Sequence, residues 1–507
     1  MMFWKKKKTD SPVQVPKQPK QLERKQLTDN ALKRELKEIR SNSQSPIISF
    51  GFSAGNTAGN INSIINMTLP TLVAKSRELS LNNGIARKYF QVNSDGVTGA
   101  SGLYIRPDVN LHDDNEENLA INEELERLFY KYADNPEAFS MNGKMDLAAF
   151  QRLVERTRSI DGEAFIIVHE VNGTVKFELI DSMRVPVIGN RIFDDGTYVS
   201  NGIHFDQYGK AIEYYVTRIN PTSYTYEIGN YDVIPASRML HLMIEDYPNQ
   251  QRGIPDIVAG TTLLKDLESF IKAAIISKKL SASAMAFITN STSNDEDTDF
   301  MNGYEPNYYD NDSLQSGALV ELQPGQNVTS VNPNGATDGI TEFVNAQMQQ
   351  IAMSLGITEQ SLSGSTANAS FSAAKLTDRL QRQTFKTRTN ALTTFVLKPI
   401  YSRWLKAEML RNQGLKLKFS DFDKLVNAKY VSEFVESLDP LKDVQTQVLM
   451  IDNKIKSRSM VVSEFGYDPY QVQKEIELEE AQTINTTKEV IQDEENINEG
   501  TDLTEDK

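Results

Sequence analysis

The chain has 507 residues, more than one compact core normally holds, so we expect about three domains or one chain of several parts. It contains no cysteine, which excludes disulfide frameworks, cysteine nucleophiles and thiolate zinc sites. Its 4 histidines are too scattered for a metal site, and no apolar run reaches the roughly 18 residues that a membrane helix needs.

Charge is distributed unevenly along the chain. The formal net charge is −15, yet residues 474–507 alone contain 12 acidic and 3 basic residues, and residues 291–312 contain 7 acidic residues and no basic one. Residues 1–40 contain 12 basic and 5 acidic residues. The pattern indicates a nearly neutral body with a basic arm, an acidic loop and an acidic tail, each of which also fits an ordinary solvated segment.

The first part of the chain is predicted to be an arm followed by helices. Residues 1–60 are predicted to be a basic arm and linker, largely flexible, because the lysines at 5–8 precede a proline-rich stretch. Helices are predicted at 29–40, at 61–81 with an interruption at Pro70, at 117–132 and at 146–159. Asn82-Asn83-Gly84 is predicted to end the second of these helices.

Residues 160–245 are predicted to form one antiparallel meander. The runs 163–171 and 174–180 flank Asn172-Gly173, a strong hairpin signal. Further strands are predicted at 202–205, 211–219 and 223–228, with His241-Leu242 closing the sheet.

After Gly253-Ile254-Pro255 the spacing of apolar residues becomes helical again for about 27 residues, or roughly 40 Å. Lys265, Lys272 and Lys279 recur every seven residues opposite the apolar face. A small β module is predicted next, with strands at 284–289, 318–322 and 328–331 around the acidic loop. A returning helix is predicted at 337–355.

The last third is predicted to begin with a loop of small polar residues at 356–370. A long helix at 371–411, bent or broken at Pro399, follows it. Lys375, Arg379, Arg382 and Lys386 are spaced to share one face of that helix. A strand at 415–419, helices at 440–455 and 463–480, and an acidic tail at 481–507, predicted to be disordered, complete the chain.

Chemical motifs are weak. No phosphate-binding GxxxxGK[ST] loop occurs, so an ATP-driven motor is not expected. Residues 51–55 match the GxSxG pattern of a serine hydrolase, but the Asn- and Gly-rich sequence after Ser53 is a poor helix start. Asp295, Asp297 and Asp299 imitate a calcium loop that has Phe300 and Pro306 where glycine and glutamate are required. We predict no catalytic residue, no metal and no cofactor.

Several short motifs, taken in order over roughly residues 60–480, resemble the portal (head-to-tail connector) proteins of lambda-type tailed bacteriophages. They are Arg77-Glu78-Leu79-Ser80-Leu81-Asn82-Asn83, Asp161-Gly162-Glu163-Ala164-Phe165, Ile234-Pro235-Ala236-Ser237-Arg238-Met239-Leu240-His241, Gln250-Gln251-Arg252-Gly253-Ile254-Pro255, Lys398-Pro399-Ile400-Tyr401-Ser402-Arg403-Trp404-Leu405, and Asp439-Pro440-Leu441-Lys442-Asp443, which is followed by Ser457 and Phe465-Gly466-Tyr467-Asp468.

The resemblance implies a ring, usually a dodecamer, at one capsid vertex of the virion, assembled in the host cell cytoplasm. Double-stranded DNA would pass through it non-specifically during genome packaging and ejection. The implied partners are the terminase large subunit, a head-tail adaptor, and the major capsid and scaffold proteins, with no membrane. The implied fold is α+β and elongated, with a wing, a two-helix stem, a small α/β clip and a helical crown.

On this scheme the parts follow one another along the chain. They are the arm and linker at 1–60, the wing with its meander at 61–254, the first stem helix at 255–283, the clip with its acidic loop at 284–335, the second stem helix at 336–355, the channel loop at 356–370, the long wing helix and closing strand at 371–438, the crown at 439–480 and the acidic tail at 481–507.

Four groups of residues are candidates for function. They are a stem face toward the channel or a neighbouring subunit (Lys265, Lys272, Lys279), the channel loop (Gly356, Ser363, Gly364, Ser365), the basic helix face (Lys375, Arg379, Arg382, Lys386) and the acidic loop of the clip (Asp295, Glu296, Asp297, Asp299). The sequence departs from the family pattern after Gly364, where residues 365–370 lack the usual acidic and aromatic residues. Each charged group also fits an ordinary solvated surface.

The size of a helix agrees with a twelve-membered ring. Helices are about 10 Å wide, so twelve side by side enclose a bore of roughly 28 Å, whereas six leave about 9 Å. A DNA duplex, about 20 Å across, passes only the larger ring. The alternatives are a non-viral DNA-binding scaffold protein that acts through the basic arm and, more remotely, a hydrolase that uses Ser53.

Overall fold

The computed structural model describes residues 60–480 with gaps, within the unit Gly59–Lys507. The gaps are residues 114, 188, 283–285, 291–325, 331–338, 366–370, 413–414, 416, 434–438, 466, 468 and 471. The predicted helix at 29–40, the predicted strand at 318–322, the acidic loop and the tail at 481–507 therefore lie outside the described residues, as does almost all of the arm.

Helices and strands are mixed along the chain, which confirms the predicted α+β class. The helices are α1 Ile61–Asn82, α2 Gly84–Thr98, α3 Asn115–Ala133, α4 Pro136–Phe139, α5 Leu147–Asp161, α6 Thr261–Ala282, α7 Ile340–Leu355, α8 Glu359–Ser363, α9 Phe371–Leu392, α10 Lys398–Arg411, α11 Phe422–Leu425, α12 Pro440–Asp452 and α13 Arg458–Glu464.

Every strand pair is antiparallel among the described residues. The strands are β1 Tyr104–Pro107, β2 Glu163–Val171, β3 Thr174–Ile180, β4 Arg191–Ile192, β5 Tyr198–Ser200, β6 Ile203–Phe205, β7 Ala211–Ile219, β8 Tyr226–Pro235, β9 Met239–Met243, β10 Ala286–Asn290, β11 Gln326–Ser330 and β12 Ala428–Val431.

Helix α1 runs through Pro70 without a break, so the predicted interruption is wrong. A proline inside a helix costs about 3 kcal/mol, because it removes one backbone hydrogen bond and crowds the preceding turn. Leu69 and Val73 lie on either side of Pro70 and are both buried in one apolar cluster with Ile65. The continuous apolar face of α1 accounts for the helix continuing despite that cost.

Asn83 separates two helices instead of simply ending one. Its backbone N–H donates to the carbonyl of Leu79, which closes α1. Its side-chain oxygen accepts from the N–H groups of Ile85 and Ala86, which starts α2. An asparagine at a helix N-cap is strongly favoured, and Gly84 is the first residue of α2 instead of a C-terminal cap.

The region 160–245 forms two sheets, so the prediction of one meander is wrong in its topology. The predicted hairpin of β2 and β3 is confirmed residue for residue, but β9 pairs with the other edge of β2 to give the order β3-β2-β9. Strands β4 to β8 form a separate meander in sequence order. The strand predicted at 223–228 is displaced to Tyr226–Pro235.

Strand β2 is buried on both faces, which explains its nearly continuous apolar sequence. Ala164, Ile166 and Val168 point into the main core, whereas Phe165 and Ile167 point into a second cluster that also contains residues of the five-stranded sheet. Alternate residues of a strand face opposite sides, so both sides of β2 must be apolar here. Strand β2 thus joins the helical core to the five-stranded sheet.

The strand predicted at 415–419 does not form. Leu415 and Leu417 are only partly buried against the core, and a 3₁₀ turn occupies Phe419–Asp421. The closing strand is instead Ala428–Val431, which pairs with Tyr104–Pro107 across more than three hundred residues of sequence. The alternating apolar residues at 415–419 therefore reflect contact with the core and not pairing with another strand.

The two helices predicted to enclose the β module form at nearly the expected positions. A 3₁₀ turn at Asp256–Gly260 precedes α6, and α7 ends at Leu355, where Gly356 caps it in the left-handed conformation. Strands β10 and β11 pair between the two helices. The order helix, β module, returning helix is thus confirmed.

The predicted irregularity of the long helix is confirmed, with its position shifted. Helix α9 passes into a π-helical segment at Thr393–Leu397, and α10 begins at Lys398. Pro399 has no backbone N–H to donate to the carbonyl four residues earlier, which favours a wider turn just before it. Trp404 of α10 then packs edge-on against Phe129 of α3, with ring centroids 5.0 Å apart.

Candidate functional site

Two of the short motifs contact each other through glycines just before the chain enters α6. Gly162 ends α5 with a φ of 92°, and Gly253 crosses it. A Cβ atom added at Gly253 would lie 2.0 Å from the carbonyl oxygen of Gly162, much closer than real Cβ contacts. The close backbone approach therefore requires glycine at position 253.

A buried carboxylate beside this crossing joins three motifs. Glu163, 1% exposed, receives hydrogen bonds from Nε of Arg252 at 2.8 Å and from the backbone N–H of Gly253 at 3.0 Å, and its Oε2 lies 3.0 Å from Nε2 of His241. Burial alone would raise the pKa of Glu163, but Arg252 and His241 outweigh burial and lower it from 4.5 to about 2. This carboxylate, at the start of β2, connects β2 and β9 to the segment that leads into α6.

A second ion pair lies at the same junction. The guanidinium of Arg77 bridges Asp161 at 2.6 Å and Asp181 at 2.7 Å, and Ser182 donates a hydrogen bond to Asp161. Burial tends to raise the pKa of Asp181, but its hydrogen bond with Arg77 holds the pKa below the ordinary value. Helix α1 is thereby fixed to the end of α5 and to the turn after β3.

A third charged cluster is buried next to the start of α6. Arg158 binds Glu155 at 2.7 Å and Asp256 at 2.8 Å, and Arg388 of α9 lies 3.4 Å from the same Asp256 carboxylate. Tyr89 of α2 also donates to Asp256, at 3.0 Å. Buried ions are stable only when paired and hydrogen-bonded, as these are.

These clusters have a mechanical role. Asp256 belongs to the 3₁₀ turn that precedes α6, so its bonds to Arg158 and Arg388 fix where α6 leaves the core relative to α5 and α9. Phe385 of α9 reinforces this position, because its ring packs on the Cα of Gly96. The start of α6 is thus held by buried ion pairs between Asp256 and two arginines.

The low pKa of Glu163 predicts a dependence of stability on pH. Because its pKa is depressed in the folded chain, the charged form stabilises the fold at neutral pH, and this contribution is lost as the pH falls from 4.5 towards 2. We expect the loss from this residue to be about 3 kcal/mol. Urea unfolding of wild type and Glu163→Gln at pH 7, 4.5 and 3 would measure it. If the free energy of unfolding changed with pH equally in the two proteins, the low pKa of Glu163 would be contradicted.

The predicted lysine stripe of α6 is only partly available to a partner. Lys272 pairs with Glu268 of its own helix at 2.7 Å. Lys265 lies close enough to Lys75 of α1 to contribute, after burial, to the lowered pKa of Lys75. Lys279 belongs to α6, but its side chain is outside the described part of the chain.

The outer halves of α6 and α7 extend beyond the main apolar core. Leu264 and Leu267 at the base are buried, whereas Ile275 and Ile276 are 49% and 55% exposed. Phe270 of α6 and Phe343 of α7 contact each other at a ring centroid distance of 4.5 Å, but Phe343 remains partly exposed. Ile275 and Ile276 therefore form a small exposed aliphatic patch on α6.

The candidate channel loop is less irregular than predicted. Helix α8 forms inside it, and Ile357 and Leu362 are buried in the main core, so the prediction of a loop throughout 356–370 is wrong for these residues. The apolar Ile357 and Leu362 provide the core contacts that small polar residues could not. Gly356 caps α7, whereas Ser363 ends α8 and Gly364 and Ser365 follow it; both glycines have positive φ and both serines are exposed.

The four cations of the basic helix face are all exposed on α9, as their spacing predicts. Lys375 pairs with Asp443 of α12 at 3.1 Å, and Arg382 pairs with Asp378 at 2.7 Å. Arg379 and Lys386 have no carboxylate partner among the described residues. The candidate acidic loop (Asp295, Glu296, Asp297, Asp299) lies outside the described residues.

The described part of the chain contains neither a metal-binding cluster nor a membrane-spanning helix. No group of three or more histidine, aspartate or glutamate side chains within the described ranges is placed to hold a metal ion. No helix in that part of the chain is long and apolar enough to cross a membrane.

Comparison with known proteins identifies the family. Residues 53–388 match the model of the lambda family of phage portal proteins. The chain is 23% identical over 438 residues to a probable portal protein of Halomonas phage phiHAP-1, a match that covers 83% of this chain and 82% of that protein. It is 22% identical to portal protein B of Escherichia phage lambda, which covers 78% of this chain and 81% of that protein.

Among solved structures, the neck of an empty gene transfer agent particle matches with 13% identity and a TM-score of 0.46, covering 78% of this chain and 94% of that one. The family match covers more than half of the chain, and the relatives are matched over most of their length. The chain therefore belongs to the lambda family of phage portal proteins.

Proposed function

We propose that the chain assembles into a ring at one vertex of the phage capsid, and that double-stranded DNA passes through this ring during packaging and ejection. The exposed aliphatic surface on the outer half of α6 supports this most directly. Ile275 and Ile276 are about half exposed on the outer half of α6, and among the described residues nothing covers them fully. The ring itself performs no catalysis. Because the chain belongs to a phage portal family, that function takes the place of the alternative, a non-viral DNA-binding scaffold protein.

The parts of the ring follow from the order of elements. Helices α6 and α7 form the stem, the β10–β11 pair belongs to the clip, and α12, α13 and residues 472–480 form the crown. Residues 61–254 form the wing, together with the long helix and the closing strand at 371–438. Residues 356–370 form the channel loop, shortened by α8, and face the DNA.

A ring of twelve subunits has a central hole wide enough for double-stranded DNA. Twelve stem helices about 10 Å wide leave a hole of roughly 28 Å, which admits a duplex about 20 Å across. Each chain carries a net charge of −15, so the assembled ring repels a polyanion at moderate distances. The channel must bind DNA only weakly, because a continuously basic bore would hold the DNA and hinder sliding.

The candidate residues then have distinct roles. Lys265, Lys272 and Lys279 face the channel or a neighbouring stem, and the basic helix face of α9 fixes one subunit to the next. The acidic loop around Asp295 and Asp299, at the tip of the clip, is a docking point for the terminase large subunit or a head-tail adaptor. Major capsid and scaffold proteins are expected to contact the outside of the ring, which assembles in the host cytoplasm.

Ring assembly can be separated from folding by changing the outer stem. We expect Ile275→Ser with Ile276→Ser to abolish rings while leaving the melting temperature of the isolated subunit nearly unchanged, because both side chains are about half exposed in one subunit. Analytical ultracentrifugation would give the assembly state and circular dichroism the melting temperature.

The matched control is Ile192→Ser, which removes an 85% exposed isoleucine from β4, away from the stem. We expect this variant to form normal rings. Normal rings from the stem variant would show that the outer half of α6 is not the contact surface.

A further inference from the structure

The basic helix face of α9 carries leucines as well as cations. Leu376 and Leu380, 60% and 56% exposed, lie beside Arg379 and Lys386 on the outside of the helix. Neither Arg379 nor Lys386 has an acidic partner in the part of the chain that the structure describes. A solvated helix face has no need of two adjacent leucines, so this surface combines apolar area with uncompensated positive charge.

The helical residues 472–480 are rich in acidic residues and include an exposed leucine, so they are complementary to the basic helix face of α9. They contain four glutamates, one lysine and Leu478, which is 55% exposed. Glu475 and Leu478 are three positions apart and therefore share a face. Within the described ranges, Glu475 has no cationic partner.

In one subunit these two surfaces lie against other elements. Lys474 Nζ is 3.8 Å from Glu123 of α3, which ties residues 472–480 to that helix. On α9, Lys375 pairs with Asp443 of α12. Leu376, Leu380 and Leu478 nevertheless remain exposed, so the same chain presents both surfaces outward, an arrangement that suits a head-to-tail contact between identical subunits.

We propose that residues 472–480 of one subunit dock on the basic helix face of α9 in a second copy of the chain. Leu478 packs between Leu376 and Leu380, and Glu475 pairs with Arg379. The proposal rests on the ring assembly proposed above, and names the segments that meet in it. Each subunit offers its basic face to one neighbour and its acidic helix to the other, so the contact repeats around a closed ring.

The absence of cysteine from the sequence allows a direct test. Assembled rings would be prepared from a mixture of Leu380→Cys and Leu478→Cys chains and oxidised, and the products separated by electrophoresis without reductant. We expect covalent dimers from the mixture and none from either variant alone. Replacing Leu380→Cys by Leu410→Cys, at a 68% exposed leucine of α10, provides the matched control without cross-links.

Charge reversal tests the ion pair within this contact. We expect Arg379→Glu in the Leu380→Cys chain to slow cross-linking about tenfold, equivalent to about 1.4 kcal/mol. Glu475→Arg in the Leu478→Cys chain should restore it. Loss without restoration would contradict the pairing of these two residues.

The outcomes separate this inference from the proposed ring. Rings that form normally but give no dimers would overturn the docking contact and leave the ring intact. A chain that never forms rings would overturn the proposed function instead. A cross-link confined to single chains of a Leu380→Cys, Leu478→Cys double variant would place the contact inside one subunit and contradict the proposal.

Discussion

Replacing Arg158 with methionine is expected to lower the free energy of unfolding by about 4 kcal/mol. Arg158 is 1% exposed, and its guanidinium is held between Glu155 and Asp256. Without it, two buried carboxylates lose their closest cation, and Arg388 reaches Asp256 at only 3.4 Å. An uncompensated buried charge costs far more than the pair contributes by being present.

The measurement is urea unfolding at pH 7, with Arg127→Met as the control. Arg127 pairs with Glu124 on the surface at 2.8 Å, and both side chains are exposed. Surface pairs of this kind are screened by water and contribute little to stability. Similar losses in the two variants would show that the buried cluster is not what stabilises the start of α6.

The second large effect is expected from Gly253→Ala. A methyl group at this position would overlap the carbonyl oxygen of Gly162, which belongs to the backbone and cannot rotate away. The two segments must therefore separate, and Glu163 then loses its hydrogen bond from the N–H of Gly253. We expect a loss of about 3 kcal/mol or more in the free energy of unfolding.

Gly84→Ala provides the contrast, since no atom lies within 4 Å of an added Cβ there and the residue starts α2. Alanine favours a helix over glycine by up to about 1 kcal/mol, so this variant should be as stable as wild type or slightly more stable. Thermal unfolding followed by circular dichroism would compare the two. Equal melting temperatures would mean that the crossing of Gly162 and Gly253 tolerates a side chain.

Local signals in the sequence were sufficient for several elements. The hairpin of β2 and β3 follows from Asn172-Gly173, because a tight turn with positive φ fixes the register of both strands. Helices α6 and α7 follow from the period of their apolar residues. These elements depend on neighbouring residues only, so no knowledge of the remaining fold is needed.

Elements that depend on distant partners were not predictable in the same way. Strand β9 pairs with β2 instead of extending the meander, and β12 pairs with β1, both through contacts far apart in sequence. Helix α2 was not predicted, and its N-cap Asn83 was interpreted as a helix end. Pro70 was expected to interrupt α1 because the compensating apolar cluster is a tertiary feature.

The candidate site likewise contains residues that local sequence patterns predict and residues that they do not. Periodicity correctly placed Lys375, Arg379, Arg382 and Lys386 on an exposed face of α9. It gave no indication of the buried group formed by Arg158, Asp256 and Arg388, whose members come from three separate segments. The pair Glu155 and Arg158, three positions apart on the apolar side of α5, was the one local signal of a buried ion pair.

Cryo-electron microscopy of the purified full-length chain is the most direct test of the central claim. The account predicts closed rings of about twelve subunits with a central opening wide enough for a duplex of about 20 Å. A chain that remains a single subunit under conditions in which capsids assemble, or a ring too narrow for double-stranded DNA, would contradict it.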